Sequence, residues 1–128
     1  MNKKTVLVVD DSPSARACIR SVLAEGGFDV VEAVDGVDGH SKISTIDDLS
    51  LVVCDINMPR MGGIAMLRLV KANPKHANLP IILLTTEGQP ELIRTAKKAG
   101  AKGWMVKPFR PKLLLAAVTK LTSLDKAG

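Results

Sequence analysis

Apolar residues along the chain fall into two alternating patterns. Short β-branched or aliphatic runs occur at Thr5–Val9, Phe28–Ala33, Leu51–Cys54, Ile81–Thr85 and Gly103–Val106. Between them lie longer stretches whose apolar residues recur every three or four positions, the spacing of one helix face. Ala15, Ile19, Val22 and Leu23 form the first stripe, with Ser12 as N-cap, Pro13 at the first helical position and Gly26-Gly27 as the stop. A weaker helix is expected from Gly36 to about Thr45. Ile64, Leu67, Leu69 and Val70 mark a third, closed by Asn73-Pro74. The fourth begins near Pro90, carries Leu92, Ile93 and Ala96, and stops at Gly100. The last runs from Pro111 through Leu114, Leu115, Val118 and Leu121, and Leu124–Gly128 reads as a loose tail.

Strands alternating with helices of this length indicate βαβ units and a parallel sheet. Val6–Val9 and Ile81–Leu84 are apolar at every position, as strands covered on both faces must be. The expected fold class is therefore α/β: a five-stranded, doubly wound parallel sheet with five helices.

The sequence has 128 residues, enough for one domain, with 46% hydrophobic and only 2% aromatic residues, so the core must be aliphatic. Cys18 and Cys54 lack Cys or His neighbours at metal-ligand spacing; both lie in apolar stretches and are expected as buried thiols of a reducing compartment. No secretory leader and no membrane span of ~20 apolar residues is visible, which points to a cytoplasmic protein. The net charge of +5 and pI near 9.4 raise the question of nucleic acid. The basic residues are nevertheless scattered, without an Arg-rich run or aromatic stacking platforms, and no direct nucleic-acid binding is expected.

Candidate chemistry lies where the apolar strands end. The first strand runs into Asp10-Asp11, the third into Asp55, the fourth ends at Thr85-Thr86-Glu87 and the fifth at Lys107-Pro108; the second ends in Ala-Val and offers nothing comparable. In an open parallel sheet the crevice beyond the carboxyl ends of the strands is where ligands bind. Taken singly, each residue has an ordinary role: Asp11-Ser12-Pro13 as a turn or cap, Thr85 as a strand residue, Lys107 as a solvated lysine. Four strands delivering such groups to one edge is harder to explain by caps and turns. Crowded carboxylates need a cation or protons to coexist, and an all-oxygen set favours a hard ion, Mg²⁺ or Mn²⁺, over zinc. With that charge neutralised, one of the aspartates can attack phosphorus, while Lys107 and the Thr85 hydroxyl meet the other oxygens.

These motifs resemble the receiver domain of two-component response regulators, in particular the stand-alone chemotaxis (CheY-like) type. The residues that carry the resemblance are Val8-Val9-Asp10-Asp11-Ser12, Asp55-Ile56-Asn57-Met58-Pro59-Arg60-Met61-Gly62-Gly63, Leu84-Thr85-Thr86-Glu87, Ala99-Gly100-Ala101 and Val106-Lys107-Pro108-Phe109. It spans the chain from Lys4 to about Leu124 and implies a flavodoxin-like strand order 2-1-3-4-5. It also implies Asp55 as phosphoacceptor, Asp11 as direct and Asp10 as water-mediated Mg²⁺ ligand, and the Asn57 backbone carbonyl as the remaining protein ligand. Lys107 would pair with phosphoryl oxygens. Thr85 would move inward with the aromatic of the fifth strand, here Trp104 where Tyr or Phe is usual. Glu87 and Asn57 would influence hydrolysis of the acyl phosphate, and Pro108 matches the family's cis-proline.

Two departures stand out. Arg110 precedes the last helix where a capping residue is common, with Pro111 presetting the first turn. Arg94, Lys97, Lys98, Lys102, Arg110, Lys112 and Lys120 make the region of the last two helices basic. The resemblance assigns output to the face of the fourth helix, fifth strand and fifth helix, so a basic version fits an acidic partner or serves solubility alone.

The expected function is a monomeric phosphorylation switch. A chemotaxis-type histidine kinase would load Asp55 and the altered face would bind a protein target. The chain ends after the fifth helix, so output through another protein is expected; a phosphate sink or relay intermediate is the alternative. A haloacid-dehalogenase-like phosphatase shares the Asp, Mg²⁺, Thr and Lys set, but places its nucleophile after the first strand in Asp-x-Asp and needs a longer chain with a cap.

Overall fold

The computed structural model describes residues 3–86 and 89–123, which places Glu87 and the Leu124–Gly128 tail outside the described residues. The strands are β1 (Thr5–Val9), β2 (Asp29–Ala33), β3 (Leu49–Asp55), β4 (Ile81–Thr85) and β5 (Gly103–Val106). The helices are α1 (Pro13–Glu25), α2 (Gly36–Thr45), α3 (Gly63–Lys71), α4 (Pro90–Ala99) and α5 (Pro111–Ser123), with a 3-10 turn at Pro74–His76. All strands are parallel, in the order β2-β1-β3-β4-β5.

Alternation along the central strands divides the core into two layers. Leu7 and Val9 of β1, Val52 and Cys54 of β3, and Ile81 and Leu83 of β4 pack with Ile43, Met66, Leu67, Val70 and Ala96 of α2, α3 and α4. Val6, Val8, Leu51, Val53, Ile82 and Leu84 point the other way, onto Ile19 and Leu23 of α1 and Leu114 and Val118 of α5. This is why the strands are apolar at consecutive positions: neither face meets water. Burying each such side chain stabilises the fold by about 1.5–3 kcal/mol before conformational entropy is counted.

The helix signals act as their chemistry requires. Ser12 Oγ accepts from the Ala15 amide at 3.3 Å, and Gly100 closes α4 at φ 109°, a left-handed position suited to glycine. Three expectations need correction. Leu69 is 45% exposed and leaves the inner stripe of α3 to Met66, Leu67 and Val70. Cys18 is exposed on α1, because the stripe through Ile19 and Leu23 turns it outward; only Cys54 is buried. The β3 strand also starts two residues before Leu51, since Thr5 of β1 pairs with Leu49 across a register shift.

Candidate functional site

Three strands of the sheet's centre, and the edge strand β5, bring their carboxyl ends to one rim. Asp10 follows Val9 and stays tied to the sheet, its amide donating to the Ala33 carbonyl at 3.1 Å. Asp55 is the last residue of β3 and Thr85 the last of β4, where it pairs with Val106. The amide of Lys107 donates to the Thr85 carbonyl at 2.7 Å, so the lysine leaves β5 pointing over the same rim. The Lys107-Pro108 peptide is cis.

The side chains converge. Carboxylate oxygens of Asp10, Asp11 and Asp55 lie within 4.8 Å of one another, with Asp10 and Asp55 buried and Asp11 exposed. Lys107 Nζ sits 3.0 Å from Asp10 Oδ2 and 3.1 Å from Asp55 Oδ1. Asp10 is held on its other oxygen as well, Oδ1 accepting from the Ser12 amide at 2.9 Å. Thr85 is fully buried, and Asn57 is exposed in the β3–α3 loop. Trp104 packs against the α2–α3–α4 layer, and its indole N–H is buried without a hydrogen-bond acceptor among the described residues. Arg94, Lys97, Lys98, Lys102, Arg110, Lys112 and Lys120 are all exposed.

The electrostatics follow from burial and crowding. Burial pushes the Asp55 carboxyl above its ordinary value; the Lys107 ammonium opposes this, while Asp10 and Asp11 add to it. Burial works against the charge on Lys107, but its hydrogen bonds to Asp10 and Asp55 outweigh it and hold the ammonium above its usual value. The buried Cys54 thiol is pushed far up and stays protonated.

A raised folded value means the fold disfavours ionised Asp55. The stabilising contribution of this group is full below the unfolded carboxylate value and is lost as pH rises through the raised one. Metal-free Asp55→Asn is therefore expected to melt above wild type at neutral pH, by about 2–4 °C. The gap should close on acidification below the ordinary carboxylate range. Thermal melts across pH check this, and equal melting temperatures at pH 7 would contradict it.

The donor set suits a hard divalent cation. It is built of oxygens alone, partly buried, and carries more negative charge than one lysine balances. The residues present therefore fit Mg²⁺ rather than a metal that prefers nitrogen or sulfur.

Two features escaped sequence reasoning. Beyond the end of β2, where nothing comparable was expected, Asp35 is buried: Oδ1 caps α2 through the Asp38 amide at 2.9 Å, and Oδ2 accepts from Arg60 Nε at 2.6 Å. An Asp one residue beyond Ala33-Val34 and directly before Gly36 was a visible N-cap signal, but its pairing with Arg60 was not legible. Arg16 of α1 donates to the Asp10 carbonyl at 2.7 Å and to Glu32 at 3.1 Å, bracing the backbone of the acidic pair. Its i+6 spacing from Asp10 carries no local signal.

The chain is similar to known proteins over most of its length. The family profile of the response regulator receiver domain matches residues 6–119. The chain is 40% identical over 110 residues to a chemotaxis protein CheY homolog of Campylobacter jejuni, covering 85% of each chain. It is likewise 40% identical over 110 residues to the chemotaxis protein CheY1 of Helicobacter pylori, covering 85% of this chain and 89% of that one. Among solved structures, chemotaxis protein CheY4 of Vibrio cholerae superposes with a TM-score of 0.88 at 35% identity, over 94% of this chain and 99% of that chain.

Proposed function

The chain belongs to the response regulator receiver domain family, and from that premise we propose that it is a phosphorylation-controlled binding module of a chemotaxis-type two-component system in the cytoplasm. The observation that carries this reading is the convergence of Asp10, Asp11, Asp55 and Lys107 at the strand ends, with buried Thr85 on the neighbouring strand.

Asp10, Asp11, Asp55 and the backbone carbonyl of Asn57 would hold Mg²⁺. When bound, the ion neutralises the carboxylates and offers a coordination position to a phosphoryl oxygen. The remaining steps belong to the protein's own side chains. A carboxylate oxygen of Asp55 attacks the phosphorus of a phosphohistidine; the P–N bond breaks and an acyl phosphate bond forms. Lys107, whose Nζ lies 3.1 Å from Asp55 Oδ1, supplies an ammonium where charge develops on the phosphoryl oxygens. The Thr85 hydroxyl meets another of these oxygens and moves towards it. Trp104, on the next strand and with an indole N–H that has no acceptor among the described residues, follows into the space vacated. The face of α4, β5 and α5, with Arg94, Lys97, Lys98, Lys102, Trp104 and Lys112, then presents an altered surface to a protein target. Asn57 and Glu87 influence how long the acyl phosphate lasts.

Incubation with acetyl phosphate and Mg²⁺ tests the reading. The expected result is uptake of one phosphoryl group per chain, lost on chelation of the metal. Steady turnover of assorted phosphomonoesters would overturn it in favour of a haloacid-dehalogenase-like phosphatase.

A further inference from the structure

The β3–α3 loop, which bears Asn57, is fastened at two places. At its base the Gly63 amide donates to the Ile56 carbonyl at 2.9 Å. A β-carbon at Gly63 would stand 2.4 Å from the Asp55 carbonyl oxygen, and one at Gly62 would stand 2.8 Å from that of Ile56. The returning arm is thus packed against the backbone of the strand that ends in Asp55, with no slack between them. At its tip the loop meets the β2–α2 corner. The Gly36 amide donates to the Met61 carbonyl at 3.0 Å, and a β-carbon at Gly36 would lie 2.5 Å from that oxygen.

The tip also contains Arg60 at φ 64°, in the left-handed region that residues with a β-carbon rarely occupy. Such a conformation persists when its surroundings impose it. Here the restraint is Asp35, whose Oδ2 accepts from Arg60 Nε at 2.6 Å and Nη2 at 2.5 Å. The carboxylate is only 5% exposed although the arginine is 61% exposed. An ordinary surface ion pair has two mobile ends and contributes little. This one has a fixed end, since Asp35 Oδ1 is already committed to the first turn of α2.

We propose that Asp35 and Arg60 are a positioning pair: by locking the loop tip to the β2–α2 corner, they hold Asn57 in register with Asp55 and so set the affinity of the acidic site for its divalent cation. Neither residue touches the metal. The inference rests on the Mg²⁺ site proposed above. Between a base and a tip that cannot move, the Asn57 backbone has one placement. Without the tether the tip can leave its strained conformation and shift that backbone.

The test uses Mn²⁺ titrated into the full chain and followed by electron paramagnetic resonance. Arg60→Gly accepts φ 64° without strain and removes the guanidinium; Asp35→Asn keeps a helix cap and loses the charge. Each is expected to weaken Mn²⁺ binding by about tenfold, the scale of lost outer-sphere support, and the double variant should be no weaker than either. At saturating Mn²⁺, labelling of Arg60→Gly by acetyl phosphate should return to the wild-type rate, with its melting temperature preserved. A general loss of structure would lower both. Mn²⁺ affinity of Arg60→Gly within twofold of wild type, or additive effects in the double variant, overturns the positioning role alone. Wild-type protein that binds no Mn²⁺ overturns the metal site beneath it, and the inference with it.

Discussion

Replacing Asp55 by asparagine is expected to lower phosphoryl uptake from acetyl phosphate to background, roughly a thousandfold or more, the scale seen when a covalent nucleophile is removed. The variant should stay folded, because a neutral amide relieves a carboxylate whose ionisation the site resists. The other acids are poorly placed to take over. Asp10 has both oxygens engaged, one by the Ser12 amide at 2.9 Å and one by Lys107 at 3.0 Å. Asp11 is exposed, so its surroundings do not concentrate charge stabilisation on a transferring group. Intact-mass measurement after incubation with Mg²⁺ and acetyl phosphate checks the result. Undiminished labelling would move the acceptor to Asp10 or Asp11.

Lys107→Met is expected to change two quantities in opposite directions. The ammonium now serves as counter-charge to Asp10 and Asp55, at 3.0 and 3.1 Å, and so competes with any cation for the same oxygens. Its side chain is 22% exposed, which leaves the interaction only partly screened. Removing it should tighten Mg²⁺ binding about tenfold, equivalent to ~1.4 kcal/mol. Phosphoryl uptake should nevertheless fall by about 10²-fold, because the developing oxygen charge loses a preorganised donor. Calorimetric titration with Mg²⁺ and the labelling rate at saturating metal separate the two effects. Weaker Mg²⁺ binding in Lys107→Met would show that the lysine organises the acidic site rather than competing for it.

How much of this was legible before the fold depends on whether a signal is local. The five strands and five helices were readable because apolar periodicity records burial directly, and caps such as Ser12 and stops such as Gly100 announce themselves to their neighbours. Errors arose where periodicity admits two answers. Leu69 lies one position from the buried Val70, and Cys18 one from the buried Ile19; hydrophobicity alone does not say which of two adjacent residues faces in. The placement of Asp10, Asp55, Thr85 and Lys107 along one rim of the sheet was readable for a further reason. A parallel sheet aligns its carboxyl ends, so a polar residue directly after an apolar strand lands on a known rim.

By itself, then, the sequence determined the element order, the two-faced burial of the central strands β1, β3 and β4 and the identity of the polar groups at their ends, because each is encoded within a few residues. Only the tertiary structure decided which of those groups meet. The ion pair of Lys107 with Asp10 joins residues 97 apart, and that of Arg60 with Asp35 joins residues 25 apart from different loops. Such contacts depend on strand order, sheet twist and the packing of one loop on another, which no local pattern records.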